Sequence, residues 1–201
     1  MEADAMVLRA KHVVTVGGRP IRNGGILIER GRIVDVGSGK TLDGSPVVDF
    51  GDAIILPGLV NAHTHLELTH CAGKIPPGDD LIDWLTRLMA FFRARAGGDE
   101  LYASSALAGM RQSLNSGVTT VGDITSLPGT VRPALARGPL RVVSFGEVRA
   151  VGRRRHLLED RLRAAIDRVG DSEYLNAAVS PHAPYSIEPA GIRACLEAAA
   201  R

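Results

Sequence analysis

Two histidines separated by a single residue carry the clearest chemistry in this 201-residue chain: His63 and His65, in the run Pro57-Gly58-Leu59-Val60-Asn61-Ala62-His63-Thr64-His65. Side chains at positions i and i+2 of a strand share a face. Leu59 to Ala62 reads as a short buried strand, so both imidazoles leave its end on one side. Neutral imidazoles held in this way grip a single Zn²⁺ or Fe²⁺ ion. A bare H-x-H also arises by chance at a polar strand end; the Pro-Gly corner and the apolar run ahead of this one favour the ligand reading. Glu67 lies two residues beyond His65 and can face the same pocket, as a substrate contact or as an outer carboxylate. Trp84 can lie over a substrate as part of a lid, or belong to the core with Leu81, Leu85 and Leu88. Glu147 and Arg149 follow a strand and read as a solvated loop at its active end. Arg153-Arg154-Arg155 reads as an exposed approach to a helix. His12, His70 and His156 have no partner pattern, and Cys71 has no base arranged to make it a nucleophile.

The elements that position these residues fall into two parts. Residues 1–56 read as β-structure: a strand at Val13-Val14-Thr15-Val16, a hairpin of Gly25 to Glu29 and Arg32 to Gly37 around Arg30-Gly31, then Val47 to Phe50 and Ala53 to Leu56. This is expected to be part of a small β-sandwich with exposed edges. From residue 57 strands and helices alternate. A helix capped by Asp79 or Asp80 carries Leu81, Trp84, Leu85, Leu88 and Phe92, and Gly97-Gly98 breaks it. A second helix, capped by Asp99, runs to near Gly117. Strands follow at Val118 to Val121, Leu140 to Phe145 and Tyr174 to Val179, with helices at Pro128 to Arg137, His156 to Val169 and Glu188 to Arg201. Such alternation implies parallel strands with crossover helices, in an open doubly wound sheet or a closed barrel. The absence of G-x-G-x-x-G after the first strand weakens the dinucleotide-binding form of the open sheet. Residues 57–201 amount to about half of a full barrel of roughly 250 residues. The expected fold is therefore α/β: the N-terminal part of a (β/α)8 TIM-type barrel, about four βα units, preceded by the partial sandwich.

Composition sets bounds. The chain is 45% hydrophobic, enough for a sizeable core, with a net charge of +2. That balance gives no reason to expect nucleic acid or an anionic membrane as partner. Cys71 and Cys195 are far apart without C-x-x-C companions, which argues against a disulfide framework and suits a reducing cytoplasm. The N-terminus reads as no secretory signal, and no run approaches the roughly 18 apolar residues of a membrane span.

Residues 57–67, ending His63-Thr64-His65-Leu66-Glu67, resemble the first-strand signature of the amidohydrolase superfamily, in its deaminase and chlorohydrolase branch. Gly24 to Gly37 resembles the family's N-terminal sandwich, Ser116-Gly117-Val118-Thr119-Thr120-Val121-Gly122-Asp123 its second barrel strand, and Ser180-Pro181-His182-Ala183-Pro184-Tyr185-Ser186 the turn after its fourth. Gly73 to Pro77 and Ile82-Asp83-Trp84-Leu85 resemble the aminodeoxyfutalosine deaminases of menaquinone biosynthesis. The resemblance implies His63 and His65 as ligands of one divalent metal, Zn with Fe as the alternative. It makes His182 a substrate contact, joined in the substrate pocket by Glu67 and Trp84. The family's H-x-x-E element, later His and metal-binding Asp are not among the 201 residues, so no catalytic residue is expected within them. Some members bridge two metals through a carboxylated lysine from the middle strands. This chain has only Lys11, Lys40 and Lys74, so a mononuclear site is favoured.

The implied activity is hydrolysis of a non-peptide C–N bond, as in deamination of a purine-like base or nucleoside. A chlorohydrolase or an imidazolonepropionase-like ring-opening enzyme is the alternative. The expectation for the isolated chain, which closes on Ala198-Ala199-Ala200-Arg201 inside a helical pattern, is an inactive fragment or metal-binding half-barrel. Such a half-barrel needs a partner, a second copy or the missing C-terminal half, to cover its edges.

Overall fold

The computed structural model describes residues 5–38, 45–94 and 98–200. Lys40, Gly97 and Arg201 lie outside them. The chain divides into two compact units, Met1–Gly58 and Leu59–Arg201.

In the first unit, β1 (Ala5–Val13), β2 (Ile21–Glu29) and β3 (Arg32–Ser38) pair antiparallel in sequence. β4 (Val47–Asp49) and β5 (Ile54–Ile55) both run parallel to β1. The described residues of this unit thus form one five-stranded sheet. The β2–β3 turn is where the sequence places it, with Arg30 at φ 47° and Gly31 at φ 73°. Left-handed backbone at both central positions matches the twist of the flanking strands. The first strand differs from the sequence reading. It ends at Val13, and Val16 stands at φ 63° and 80% exposed, outside the sheet. The buried residues of β1 are Val7, Ala10 and Val13, three apart, so the strand carries no alternating pattern to read.

The second unit begins with β6 (Leu59–Thr64), followed by a 3-10 turn over Leu66–Cys71, α1 (Leu81–Ala94) and α2 (Asp99–Asn115). Then come β7 (Val118–Thr125), α3 (Pro128–Leu135), β8 (Arg141–Val148), α4 (Leu158–Ile166), β9 (Leu175–Pro181) and α5 (Pro189–Ala199). The four strands lie side by side in the order β6-β7-β8-β9, every pair parallel. A doubly wound sheet reverses its strand order at a switch point. This sheet has no reversal, which is the strand order of a barrel.

Asp80 caps α1 as expected: its Oδ1 accepts the N–H of Asp83 at 2.8 Å, and Asp83 Oδ2 accepts the N–H of Asp79 at 3.1 Å. The cap of α2 differs. Gly98 is the N-cap, and Asp99 is the first helical residue, where its charge still favours the helix dipole. α4 is shorter than the apolar pattern from His156 to Val169 suggests. A 3-10 turn occupies Gly152–Leu157, and the helix ends at Asp167 in an extended conformation. Its last carbonyls are occupied: Arg132 donates to the carbonyls of Ala165 and Asp167.

On β8, Val142, Ser144, Gly146 and Val148 face the helices and are buried. One core cluster packs Leu66, Met110, Val121, Leu135 and Leu175 between the first helices and the sheet. A second gathers Val148, Ala165, Ile187 and Cys195. Among the described residues no helix is long and apolar enough to cross a membrane.

Candidate metal centre

His63 and His65 sit where β6 gives way to the 3-10 turn, at the C-terminal end of the sheet's first strand. The β6–β7 register shifts between Asn61 and Thr64, so the strand is irregular just where the histidines stand. Their ring centroids are 5.4 Å apart at an interplanar angle of 71°. Burial pushes the His65 imidazole below its ordinary pKa. The charge of Glu147 opposes this, His63 adds to it and Glu67 opposes it more weakly. Burial disfavours the imidazolium, and a neutral ring is what metal ligation requires.

The turn that follows is tied to β7. Asp123 Oδ1 accepts the N–H of Leu66 at 2.8 Å. Glu67 is 3% exposed, with Thr125 Oγ1 donating to its Oε2 and the Ser126 N–H donating to its Oε1 at 3.0 Å. The carboxylate that the sequence offered as a substrate contact therefore also clamps the end of β6 to the end of β7.

His182 follows β9, and its Nδ1 lies 2.6 Å from Ser186 Oγ. Its Nε2 is 3.6 Å from Glu147 Oε1. Glu147 departs from the sequence reading of a solvated loop: it belongs to β8, and its side chain is 5% exposed. Its Oε2 pairs with Arg149 Nη2 at 2.8 Å and accepts from Ser126 Oγ at 3.1 Å. Arg149 Nη2 also donates to Ser126 Oγ at 2.6 Å. The charge of Glu147 thus acts on His65, while its Oε1 stands 3.6 Å from His182. His63, His65, Glu67 and His182 meet at one end of one sheet, the C-terminal end where barrel active sites are built. Trp84 stands on α1, 38% exposed.

Asp123, Thr125, Ser126 and Ser186 carry no motif that singles them out. Their signal is positional: each ends or follows a strand at the active face. Cys71 also differs from its sequence reading, for His70 Nε2 lies 3.4 Å from its Sγ. That histidine is held by the Glu67 carbonyl and Ser105 Oγ at its Nδ1.

The two neighbouring imidazoles suit a divalent ion such as zinc or iron. Among the described residues no group of three or more His, Cys, Asp or Glu side chains is arranged to hold a metal. The pair alone is therefore half of the donor set such an ion takes.

Comparison with known proteins agrees with this architecture. The profile of the Amidohydrolase family matches residues 54–201. The 5-methylthioadenosine/S-adenosylhomocysteine deaminase of Nitratidesulfovibrio vulgaris is 33% identical over 190 residues, which are 89% of this chain and 42% of that protein. The chain thus spans less than half the length of such curated relatives. The crystal structure of Helicobacter pylori aminofutalosine deaminase in complex with methylthio-coformycin superposes with a TM-score of 0.79 at 22% identity, over 96% of this chain and 47% of that one. A mutant of atrazine chlorohydrolase from Arthrobacter aurescens, complexed with zinc and atraton, gives 0.84 at 21% identity, over 97% and 50%. These likenesses show the fold: an amidohydrolase barrel of which the chain covers the N-terminal half. The matched stretch takes in all four parallel strands and the helices that join them, and the chain belongs to the amidohydrolase family.

Proposed function

We propose that this chain carries the metal-gripping and substrate-facing half of a hydrolytic deaminase for an adenosine-type nucleoside, acting in the cytoplasm. The observation that carries the reading is the pairing of His63 and His65, ring centroids 5.4 Å apart, with His182 at the C-terminal end of the same parallel sheet. The substrate class comes from the relatives, since the N. vulgaris protein is named for deaminating a purine nucleoside.

His63 and His65 would hold one divalent ion, zinc as in the chlorohydrolase structure or iron. When bound, such an ion supplies Lewis acidity and lowers the pKa of a water. The chain's own groups do the positioning. His182, held by Ser186, meets the purine heterocycle. Glu67 fixes Thr125 and Ser126 at the pocket wall. Trp84 covers the bound substrate. The proton-moving glutamate, the further histidine and the aspartate that the family resemblance implies come from a longer polypeptide or a second chain.

The test compares the 201-residue chain with a form extended to its relatives' length. Metal content is measured beside ammonia release from adenosine, 5′-deoxyadenosine and methylthioadenosine. The expected result is about one metal per extended chain and ammonia from at least one nucleoside. A metal-loaded extended chain that deaminates none of them overturns the reading.

A further inference from the structure

A charged side chain sheltered from water stands out at the mouth of the sheet. Glu147 is 5% exposed, and both of its oxygens are engaged. Oε2 takes Arg149 at 2.8 Å and Ser126 Oγ at 3.1 Å, while Oε1 faces His182 Nε2 at 3.6 Å. Ser126 in turn donates its N–H to Glu67 at 3.0 Å. The links run from Glu67 after β6, through Ser126 after β7 and Glu147 on β8, to His182 after β9. A carboxylate is costly to shelter from water unless it is paired. Here the pairing crosses all four strand ends, with Glu147 at its centre.

The hydrogen bonds also define one ring orientation for His182. Ser186 Oγ has a single proton and lies 2.9 Å from the Ala183 carbonyl and 2.6 Å from His182 Nδ1. Donated to Nδ1, the nearer acceptor, it leaves the ring's own proton on Nε2. Nε2 is then the edge turned to Glu147.

We propose that Glu147 is a positioning residue, which sets the orientation of His182 and holds Arg149 and Ser126 in register with it. The proposal rests on the reading of His182 as a substrate contact given above. It makes a specific demand on chemistry. Glu147 Oε2 accepts from Arg149 and Ser126, and Oε1 is the oxygen that faces the His182 Nε2 edge at 3.6 Å, within ion-pair range. A glutamine has one acceptor oxygen and must abandon one side. An aspartate keeps both acceptors and the charge.

The experiment uses the metal-loaded chain extended to its relatives' length, as wild type, Glu147→Gln and Glu147→Asp. Two readouts are taken: the ¹⁵N shifts of the His182 ring, and KM and kcat for deamination of the preferred nucleoside. The expected result for Glu147→Gln is a KM raised about 10-fold, the order for removing a residue that orients a functional histidine. Metal content stays at the wild-type level, kcat falls less than KM rises, and the His182 shifts move towards mixed tautomers. Glu147→Asp is expected to restore the wild-type shift pattern and most of the KM. Wild-type ring shifts and KM in Glu147→Gln overturn the proposal. Equal losses of metal and kcat in both variants also overturn it, because they mark a role in folding alone. An inactive wild type whose His182 shifts still respond to Glu147→Gln removes the deaminase reading and leaves the positioning role standing. A Glu147→Gln that does not fold shifts the decision to Glu147→Asp, where a disordered His182 ring in a folded, metal-loaded protein counts against the proposal.

Discussion

Asp123 on β7 accepts the main-chain N–H of Leu66 at 2.8 Å, across 57 residues of sequence and next to the histidine pair. Its other oxygen, Oδ2, is buried with no hydrogen-bond partner among the described residues. Burial pushes the carboxyl up to about 7. The Leu66 N–H works against that rise, the charge of Glu67 adds to it and Arg132 opposes it.

That shift makes stability depend on pH in a definite direction. The folded state holds a proton on Asp123 at pH values where the unfolded chain has released it. The contribution is therefore fully present below about pH 4 and is lost as pH rises through about 7. Urea unfolding of metal-free protein is expected to show the wild type losing a few kcal/mol between pH 4.5 and 8 relative to Asp123→Asn, on the order set by the linkage relation. Parallel pH profiles of the two proteins would remove Asp123 as the source.

The histidine pair predicts a separable loss of metal. Replacing either His63 or His65 by alanine leaves a single imidazole from this strand, and one histidine is a weak ligand for zinc. Metal content of the extended protein is expected to fall at least about 10-fold in either variant, with the circular dichroism spectrum unchanged. Retention of a full complement of metal by His63→Ala would place the ion elsewhere.

Arg132 is a different kind of buried charge. It is fully buried, and it donates to Ser144 Oγ and to the carbonyls of Ser144, Ala165, Asp167 and Ala178. It therefore joins α3 to β8, β9 and the end of α4. A lysine cannot reproduce the planar fork. Arg132→Lys is expected to destabilise the protein by about 3 kcal/mol or more, because it leaves a buried charge and several carbonyls badly matched. A denaturation midpoint equal to wild type would show that water replaces the missing donors.

Gly146 marks the close approach of α4 to β8. A Cβ there would stand 2.7 Å from Ala165 Cβ and 2.8 Å from the Ala165 carbonyl oxygen. The obstacles include backbone, so the helix must move. Gly146→Ala is expected to cost about 1–3 kcal/mol, the range for overpacking. Thermal unfolding reads this directly, and an unchanged midpoint would mean that α4 shifts freely.

How much of this was readable in the sequence follows from the range of each interaction. His63 and His65 share a side because of their i, i+2 spacing on a strand, and the Arg30-Gly31 turn needs left-handed backbone, so both are local facts. The cap at Asp80 is local too. The burial of Glu147 is not, because its partners arrive from Ser126, 21 residues earlier, and from His182, just past the end of the next strand. The early end of α4 is equally invisible, since Arg132 reaches Asp167 from 35 residues away. β1 escaped for another reason: its buried residues, three apart, do not alternate and stand nearer to a helical spacing than to a strand's.

Trp84 gives the last prediction. It is the chain's one tryptophan, so its fluorescence reports on α1 alone. Leu81, Ile82, Trp84 and Met89 of this helix are all exposed, while Leu88 is buried. Its start is held by the Asp80 cap and by the Asp83–Arg87 ion pair at 2.7 Å, which is too exposed to count for much. If Trp84 covers the substrate, a nucleoside analogue must remove the indole from water on binding. The emission maximum is then expected to move to the blue and acrylamide quenching to fall, both saturating with the binding curve. Asp80→Ala, which costs a cap worth about 1 kcal/mol, is expected to weaken that response while leaving metal content intact. An emission spectrum indifferent to a saturating nucleoside would exclude Trp84 from the pocket.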